Sequence, residues 1–254
     1  MMYGTVPTAG RPAQAKYNRF LAALAPADFA LLSPYLRNVW LERGAVLHEP
    51  GEEIEHVYFP HTGMVSLVAV MQNGASVETA TMGRAGAIGL SAGLGSRRAL
   101  GRAVVQLPGQ VARLPADRFE AAVNDSKAIR DLLVRCNDAL LVQVQQSVAC
   151  GALHMLDARL ARWLLQSHDC VDGQPIPLTQ DFLAQMLGVR RTTVTLTARL
   201  LQGAGMIRYS RGVVRVVDRG RLEQTACECY ATVCGHLDEV FGAPSLHSHH
   251  TSVA

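Results

Sequence analysis

Residues 179–203 read TQDFLAQMLGVRRTTVTLTARLLQG, and this stretch predicts two helices joined by a tight turn. The hydroxyl of Thr179 can cap the first helix, because a threonine oxygen accepts a hydrogen bond from an unpaired N–H at a helix start. Ala184 is small enough for a second helix to cross closely, and Gly188 can adopt the positive φ of a turn. The spacing therefore predicts a helical pair of defined geometry.

The second helix of this pair is polar and basic where it begins. Val194 is expected to face inward, so the donor side chains around it lie on the outer surface at the N-terminal end. Donors in this position contact base edges and phosphates when a helix enters the major groove of DNA. The predicted DNA contacts are Thr179, Gln180, Arg190, Arg191, Thr192, Thr193, Thr195, Arg199 and Arg211.

The next segment predicts a β-hairpin in a basic setting. Residues 206–217 form two strand-like runs around Ser210-Arg211-Gly212, which is typical of a wing. Between residues 178 and 221 the chain has eight arginines and two acidic residues, so this segment carries +6, whereas the whole chain carries +3. A basic module joined to a mildly acidic body indicates a polyanionic partner. A solvated basic surface without a partner is the alternative interpretation of the charge alone.

The N-terminal half has a different pattern. Over residues 39–114, short β-branched runs alternate with glycines, which is typical of an antiparallel sandwich or barrel. The clearest part consists of residues 64–71 and 76–82, which are strand-like and flank Asn73-Gly74. Both residues of this pair tolerate the positive φ of a type I′ hairpin turn. We therefore predict an N-terminal antiparallel β-roll or jelly roll.

After Pro115 the apolar spacing becomes helical. Asn124, Asp125 and Ser126 offer caps for a long helix whose apolar positions recur every three or four residues. Such a stripe either packs against its own domain or forms the seam of a two-fold dimer, and the length of the helix favours the dimer. The predicted dimerisation residues are Ile129, Leu133, Cys136, Leu140, Val144 and Val148.

Nearly the whole chain resembles the Crp/Fnr family of bacterial transcription regulators. The resemblance is carried by residues 56–63 (HVYFPHTG), residues 83–89 (GRAGAIG), the long helix and residues 178–194. It implies an α+β fold with an N-terminal antiparallel β-roll, a long dimerisation helix and a C-terminal winged helix-turn-helix. It also implies a homodimer that binds a palindromic operator.

The resemblance also assigns roles within the second helix of the pair. Arg191 occupies the position of the guanine-reading arginine of the family. Thr192 and Leu196 stand where cyclic-AMP-responsive members usually have a glutamate and a second base-reading arginine. The preferred operator is therefore expected to differ from theirs.

The predicted sensor domain lacks the residues that family members use to bind cyclic nucleotides. Those members hold the ribose with a glutamate just after a glycine of the roll, whereas here Gly89 is followed by Leu90-Ser91. No Asp or Glu occurs from Thr79 to Ala116. We therefore expect no cofactor, no cyclic nucleotide and an effector of unknown kind. The weaker candidates for effector contacts are Gly89, Leu90, Ser91, Arg97 and Arg98, with Arg102 as a further anion binder.

The histidine and cysteine patterns predict no metal site in the N-terminal part of the chain. The iron–sulfur cluster of oxygen-sensing members needs an N-terminal cysteine group, and this chain has no cysteine before Cys136. His48, His56 and His61 are interpreted as scattered surface and turn residues rather than as haem or metal ligands.

The C-terminal region contains Cys227, Cys229, Cys234 and His236 within ten residues, which is the composition of a metal site. The apolar spacing from residue 222 to 241 predicts one continuous helix, however. On such a helix Cys227 and Cys229 point about 200° apart and cannot bind one ion together. We therefore predict no metal at this position.

Five regions follow from these patterns: a flexible arm (1–17), the β-roll sensor domain (18–123), the dimerisation helix (124–152), the winged helix-turn-helix (153–220), and a C-terminal helix with a disordered tail (221–254). No stretch approaches the roughly 18 apolar residues of a membrane helix, and the N-terminus lacks a secretory pattern. The protein is therefore expected to be cytoplasmic, with reduced thiols.

The predicted function is transcription regulation without catalysis. Double-stranded DNA is the expected partner, RNA polymerase is a further one, and no membrane is involved. One alternative is a non-specific architectural DNA-binding protein, in which Arg191 acts only through its charge. Another is a cupin-type enzyme, which needs a His-x-His pair with a carboxylate that residues 48–52 (HEPGE) do not supply.

Overall fold

The computed structural model describes residues 18–171 and 175–241. The predicted N-terminal arm (1–17) and the predicted tail beyond residue 241 lie outside the described residues. Within the described part the predicted architecture is confirmed: a β-roll, a long helix and a winged helix-turn-helix follow one another along the chain.

The N-terminal half begins with two short helices and continues as two antiparallel sheets. Pro26 is the first residue of the second helix, a position at which proline is favoured because its missing N–H has no partner in any helix. The strands form a three-stranded sheet of order β1-β7-β3 and a four-stranded sheet of order β2-β6-β4-β5. The elements are α1 (Arg19–Ala22), α2 (Pro26–Leu32), β1 (Arg37–Leu41), β2 (Val46–His48), β3 (His56–Pro60), β4 (Met64–Val70), β5 (Ser76–Met82), β6 (Arg102–Leu107) and β7 (Gly109–Pro115).

The predicted hairpin forms between β4 and β5, but its turn differs from the prediction. Gly74 has a φ of 82°, whereas Asn73 does not have a positive φ, so the turn is not type I′. The N–H of Gly74 donates to the carbonyl of Met71 at 2.9 Å. This is the pattern of a longer hairpin loop that ends on a left-handed glycine.

Two helices, α3 (Ala116–Asp125) and α4 (Lys127–Leu153), follow the roll. Ser126 separates them and caps α4, because its hydroxyl accepts a hydrogen bond from the N–H of Ile129 at 3.1 Å. The 27 residues of α4 span about 40 Å. The prediction of a long helix capped in this region is confirmed.

The first part of α4 completes the core of the roll. Phe20, Phe59 and Phe119 form a cluster of tilted rings whose centroids are 5.4 to 6.2 Å apart. Ile129 and Leu133 are fully buried in the same apolar cluster. Burial of these large side chains fixes α4 on the roll within one chain.

The C-terminal half is a winged helix-turn-helix with two further helices. Its core is centred on the fully buried Trp163 and includes Met64, Val68 and Leu107 of the roll, so the two halves share apolar contacts. The order of its small sheet is β8-β10-β9. The elements are α5 (Leu156–Cys170), β8 (Ile176–Pro177), α6 (Gln180–Leu187), α7 (Arg191–Gly203), β9 (Ile207–Ser210), β10 (Val213–Val216), α8 (Arg219–Thr225) and α9 (Cys229–Phe241).

The prediction of one continuous helix from residue 222 to 241 is wrong. The backbone leaves the helical region at Ala226, where φ is −65° and ψ is 146°, and the chain is helical again only from Cys229. The second helix, α9, then packs along α4. This break changes the directions of the cysteine side chains on both sides of it.

None of the helices in the described ranges is long and apolar enough to cross a membrane.

Candidate functional site

The helical pair has the geometry that its sequence predicts. The Thr179 hydroxyl accepts a hydrogen bond from the N–H of Phe182 at 3.3 Å and caps α6. Gly188 ends α6 in the left-handed region with a φ of 65°. The N–H of Val189 then donates to the carbonyl of Ala184 at 3.0 Å, which closes the turn. Glycine is favoured at this position because a side chain strains the left-handed backbone.

The two faces of α7 differ sharply in composition. Val194, Ala198 and Leu201 are buried in the core of the module. With about 100° between successive residues, the side chains on the opposite face lie within an arc of about 140°. They are Arg191, Thr192, Thr195, Leu196 and Arg199. The predicted recognition surface is therefore one continuous face of a helix held from behind by the core.

Arg191 is the first residue of α7 and its side chain is 63% exposed. Its guanidinium lies 3.3 Å from the carboxylate of Asp181, which is equally open to solvent. Such an exposed pair is weak because solvent screens it. Arg191 is therefore free to exchange Asp181 for another partner.

One polar side-chain contact ties α7 to α6, and a second lies within α7. The Thr195 hydroxyl donates to Oε1 of Gln180 at 2.6 Å, so the first residue of α6 is tied to the exposed face of α7. The Thr197 hydroxyl donates to the carbonyl of Thr193 at 3.0 Å within the helix. Arg190 lies immediately before α7 as its N-cap and is exposed.

The hairpin formed by β9 and β10 confirms the predicted wing. Arg211 and Gly212 form its tip with φ values of 49° and 75°. An open cleft of about 330 Å³ separates the wing from the start of α7. Its lining is polar and consists of Thr179, Gln180, Asp181, Arg191, Tyr209, Ser210, Arg211 and Gly212.

The basic charge of the module is divided between its surface and its interior. Arg219 binds Asp169 and Glu223, each at 2.8 Å, so it supports the fold rather than the surface potential. Arg221 lies 3.7 Å from Asp218. The arginines that reach solvent are Arg190, Arg191, Arg199, Arg208, Arg211, Arg215 and Arg221. Seven of the eight arginines between residues 178 and 221 therefore contribute to an exposed basic surface, and Arg219 does not.

The predicted dimer seam on α4 needs a correction. Ile129, Leu133 and Cys136 are buried in the core of their own domain, so they cannot contact a second chain without unfolding. Leu140 and Val144 are partly buried and line a cavity between α4 and the roll. Of the six predicted residues only the last, Val148, is largely exposed, at 70%.

A different apolar row on α4 faces solvent. Val134, Leu141 and Val148 are all exposed and lie seven residues apart. A repeat of seven is the spacing at which residues on one helix meet a partner helix in a left-handed coiled coil. The exposed row therefore lies on a different face of α4 from most of the predicted stripe. Val148 is the residue that the two sets share.

The cavity between α4 and the roll has a volume of about 290 Å³ and is the candidate effector site. Gly89, Leu90 and Ser91 lie on its wall, as predicted for an effector pocket. Among the described residues, no Asp, Glu, Lys or Arg lines it, and His48 is the one titratable group there. Burial lowers the pKa of His48 below its ordinary value. The cavity thus suits an uncharged occupant better than an anion.

The arginines predicted near this cavity point elsewhere. Arg97 donates to the carboxylate of Glu120 at 2.7 Å. Arg98 donates to the carbonyl of Gly51 at 3.3 Å. Arg102 pairs with Glu49 at 2.9 Å. The predicted role of Arg97 and Arg98 in binding an anionic effector is not supported by these positions.

The histidines of the roll do not form a metal site among the described residues. His48 and His61 are buried rather than on the surface, so that part of the interpretation is wrong. Burial lowers the pKa of His61, as it does that of His56. These side chains are therefore neutral at pH 7.

The expectation that Cys227 and Cys229 diverge is also wrong. Because the helix breaks before Cys229, both thiols turn toward α4 and meet Cys150 and His154. This cluster could be found from the sequence only if the helix break and the packing of α9 on α4 were already known. Cys234 and His236, in contrast, are not part of it.

Comparison with known proteins agrees with this geometry. The model of the Crp-like helix-turn-helix domain matches residues 158–225, and that of the cyclic nucleotide-binding domain matches residues 38–126. Together they cover more than half of the chain. A roll joined by a long helix to a Crp-like helix-turn-helix domain is the architecture of a class of transcription regulators. Within that class, the chain belongs to the Crp/Fnr family.

Individual relatives are distant. The chain is 25% identical over 163 residues to the global nitrogen regulator of Nostoc sp. This alignment covers 61% of this chain and 73% of that protein. The structure of FixK2 from Bradyrhizobium japonicum has a TM-score of 0.64 at 17% identity and covers 76% of this chain and 98% of its own. The structure of a CRP/FNR-family transcriptional regulator from Thermus thermophilus has a TM-score of 0.61 at 23% identity. The match covers 75% of this chain and 98% of that one. The relatives from Nostoc and Thermus thermophilus are both described as regulators.

Proposed function

We propose that the protein is a transcription regulator that binds a palindromic DNA operator as a homodimer and recognises it by sequence. The observation that carries this proposal is the exposed face of α7. It begins with Arg191 beside the wing and is held by a rigid apolar core. A helix with an unobstructed basic end and a hairpin beside it matches the shape and charge of a major groove and its phosphates.

Individual side chains on this face supply different kinds of recognition. The guanidinium of Arg191 can donate two parallel hydrogen bonds to O6 and N7 of guanine. Leu196 is 60% exposed on the same face, and an apolar side chain there contacts the methyl group of thymine. Arg211 at the wing tip and Arg199 further along α7 neutralise phosphates.

Two-fold pairing through Val134, Leu141 and Val148 completes the proposal. This row is apolar and exposed in the single chain, so pairing with a second copy removes it from water. A two-fold dimer places its recognition helices in successive major grooves on one side of the duplex. The half-sites should therefore be centred about 10–11 base pairs apart.

Selection of bound sequences from a random DNA pool tests this function. We expect an inverted repeat whose half-sites contain at least one guanine and have the spacing given above. Competition against random DNA should then favour the selected operator by about 10³-fold or more. Selection of no common sequence, with equal competition by random DNA, would instead support a non-specific architectural protein.

We propose further that no cyclic nucleotide controls this activity, because neither a carboxylate nor an arginine lines the cavity beside α4 in the part of the chain that the structure describes. The contact with RNA polymerase and the cytoplasmic location stay predictions.

A further inference from the structure

Three cysteines and one histidine from separate parts of the chain converge beside the C-terminal end of α4. Cys150 lies in the last turn of α4 and His154 directly follows that helix. Cys227 lies in the break before α9, and Cys229 is the first residue of α9. The thiols of Cys150 and Cys227 meet although the residues are 77 positions apart in the sequence.

The four side chains have the spacing of ligands around one ion. The sulfurs of Cys150 and Cys227 are 3.6 Å apart, and the sulfur of Cys229 lies 3.4 Å from Nδ1 of His154. The ligand atoms of all four residues lie within 4.8 Å of one another. In a tetrahedral zinc site, bonds of about 2.3 Å to sulfur place neighbouring sulfurs about 3.8 Å apart.

The surroundings of these side chains are those of a metal site. Nε2 of His154 lies 3.2 Å from a carboxylate oxygen of Glu228, which leaves Nδ1 facing the sulfurs. An imidazole held by a carboxylate in this way is the usual outer contact of a zinc-binding histidine. The side-chain amide of Gln146 donates to the sulfur of Cys229 at 3.2 Å, so that a thiolate there is also supported.

We propose that Cys150, His154, Cys227 and Cys229 bind one zinc ion as a structural site. Soft thiolates with one imidazole favour zinc over hard cations, and four protein ligands leave no position open for catalysis. Cys150 and Cys229 are each 1% exposed, so the ion is shielded from water. On binding, the three thiols release their protons to solvent and leave a site of net charge −1. The buried Arg162 lies close enough to interact electrostatically with Cys150 and offsets that charge.

The site joins the end of the long helix to α9 at the point where the chain enters α5. Two of its ligands are local to the end of α4, whereas the other two come from beyond the winged helix-turn-helix. The ion therefore closes a loop that contains the whole DNA-binding module. Closing so long a loop stabilises the junction between the two halves of the protein.

The test uses the full-length chain purified without a tag and without chelator. Because His247, His249 and His250 in the C-terminal tail can also bind metal, a variant with all three changed to alanine serves as the background. Elemental analysis should find about one zinc per chain in this background. The zinc should be lost in Cys227→Ser and Cys229→Ser. It should be retained in the control Cys234→Ser, which changes a thiol of α9 that lies outside the cluster.

A second set of measurements starts from the background protein, in which all four proposed ligands are present. Titration of the metal-free background protein with cobalt should give the intense visible absorption of a tetrahedral cobalt site and thiolate charge-transfer bands, saturating at one equivalent. Chelation of zinc should lower the melting temperature of the background protein and leave that of Cys229→Ser unchanged.

Several results would overturn the proposal. The first is a background protein that holds no zinc and gives no tetrahedral cobalt spectrum. The second is that removal of the tail histidines alone removes the zinc. The third is that the protein contains iron and inorganic sulfide in place of zinc. A Cys150–Cys227 disulfide found by mass spectrometry in freshly isolated, metal-free protein would likewise replace the metal site with a redox pair.

Discussion

Arg191 and Arg199 lie on the same face of α7, but their positions along the helix give them different roles. Arg191 is at the exposed start of the helix, beside the cleft under the wing. Arg199 lies about 12 Å further along the axis, at a rise of about 1.5 Å per residue. In the proposed complex the first position would reach base edges, whereas the second would lie where the helix leaves the groove and passes the backbone of DNA.

Replacing the two residues should therefore have different consequences. Arg191→Ala should cost about 1–3 kcal/mol of specific binding and relax the preference at one base pair of each half-site. Arg199→Ala should weaken binding to all sequences alike and make the salt dependence shallower by about one unit. Fluorescence anisotropy with the selected operator and with random DNA, at several salt concentrations, measures both effects. A loss of equal factor for both DNAs in Arg191→Ala would contradict the base-reading role.

At the scale of the element, α4 shows what periodicity reveals and what it leaves open. The stripe of apolar residues predicted the helix and Ser126 supplied its cap. The stripe alone did not predict whether the apolar face packs against its own domain or against a second chain. Either arrangement removes the same side chains from water. The fold settles this for Leu133, which packs within its own chain, and leaves Leu141 exposed.

Charged substitutions on α4 should separate these two roles. Leu141→Glu combined with Val148→Glu should give folded monomers with much weaker operator binding, because like charges then face each other across the two-fold seam. Leu133→Glu should instead unfold the roll, since it buries an unpaired charge. Arg135→Glu, an exposed change on another face of α4, is the control and should stay dimeric. Sedimentation velocity measures the oligomeric state and circular dichroism the fold.

This prediction has a clear contrary outcome. If the unaltered protein is monomeric at micromolar concentration, or if the double variant remains dimeric, the row formed by Val134, Leu141 and Val148 is not the seam. The monomeric fold of the double variant must be confirmed first, so that dissociation is not confused with unfolding.

The cysteine cluster illustrates a different limit of sequence reasoning. The apolar spacing beyond residue 222 fits one helix, and nothing in the local pattern marks Ala226 as the point where the helix ends. The break is fixed by tertiary packing, since α8 packs on α5 while α9 packs on α4. A site assembled from residues 77 positions apart can be identified only once that packing is known.

At the scale of the whole molecule, the roll and the DNA-binding module are in direct contact. The side-chain amide of Gln185 on α6 donates to the hydroxyl of Ser76 on β5 at 2.7 Å. The guanidinium of Arg43 lies 5.5 Å from the ring centroid of Phe182. These contacts join segments far apart in the sequence, so only the folded chain reveals them. They connect the roll to α6, and hence to α7, which follows it.

The cavity beside α4 should not bind cyclic nucleotides. A cyclic phosphate buried there would have no cationic partner, because Arg97 and Arg98 are engaged elsewhere and neither lines the cavity. Calorimetric titration with cyclic AMP and cyclic GMP should therefore give no binding heat at micromolar concentrations. A micromolar isotherm for either nucleotide would show that the cavity rearranges to supply these missing partners.

Glu78 on β5 is a titratable group at the boundary between the two halves. Its carboxylate accepts hydrogen bonds from the indole N–H of Trp163 on α5, at 2.8 Å, and from the hydroxyl of Ser66 on β4. Arg162 is the nearby opposite charge. Desolvation at this boundary outweighs these three contacts and raises the pKa of Glu78 from 4.5 to about 7. In the sequence Glu78 is only one polar residue in a strand. The burial that favours its uncharged form arises from packing between the two halves.

The raised pKa makes stability depend on pH in a defined direction. The folded protein holds the proton on Glu78 more tightly than the unfolded chain does, so this contribution is complete below about pH 4.5 and is lost as the pH rises through about 7. The shift corresponds to at most about 3 kcal/mol. Glu78→Gln keeps a neutral side chain that can accept from Trp163 and does not titrate. Urea unfolding from pH 5 to 8 should therefore show the free energy of unfolding of the unaltered protein falling relative to that of Glu78→Gln. Parallel pH profiles for the two proteins would show that Glu78 is already ionised in the folded state.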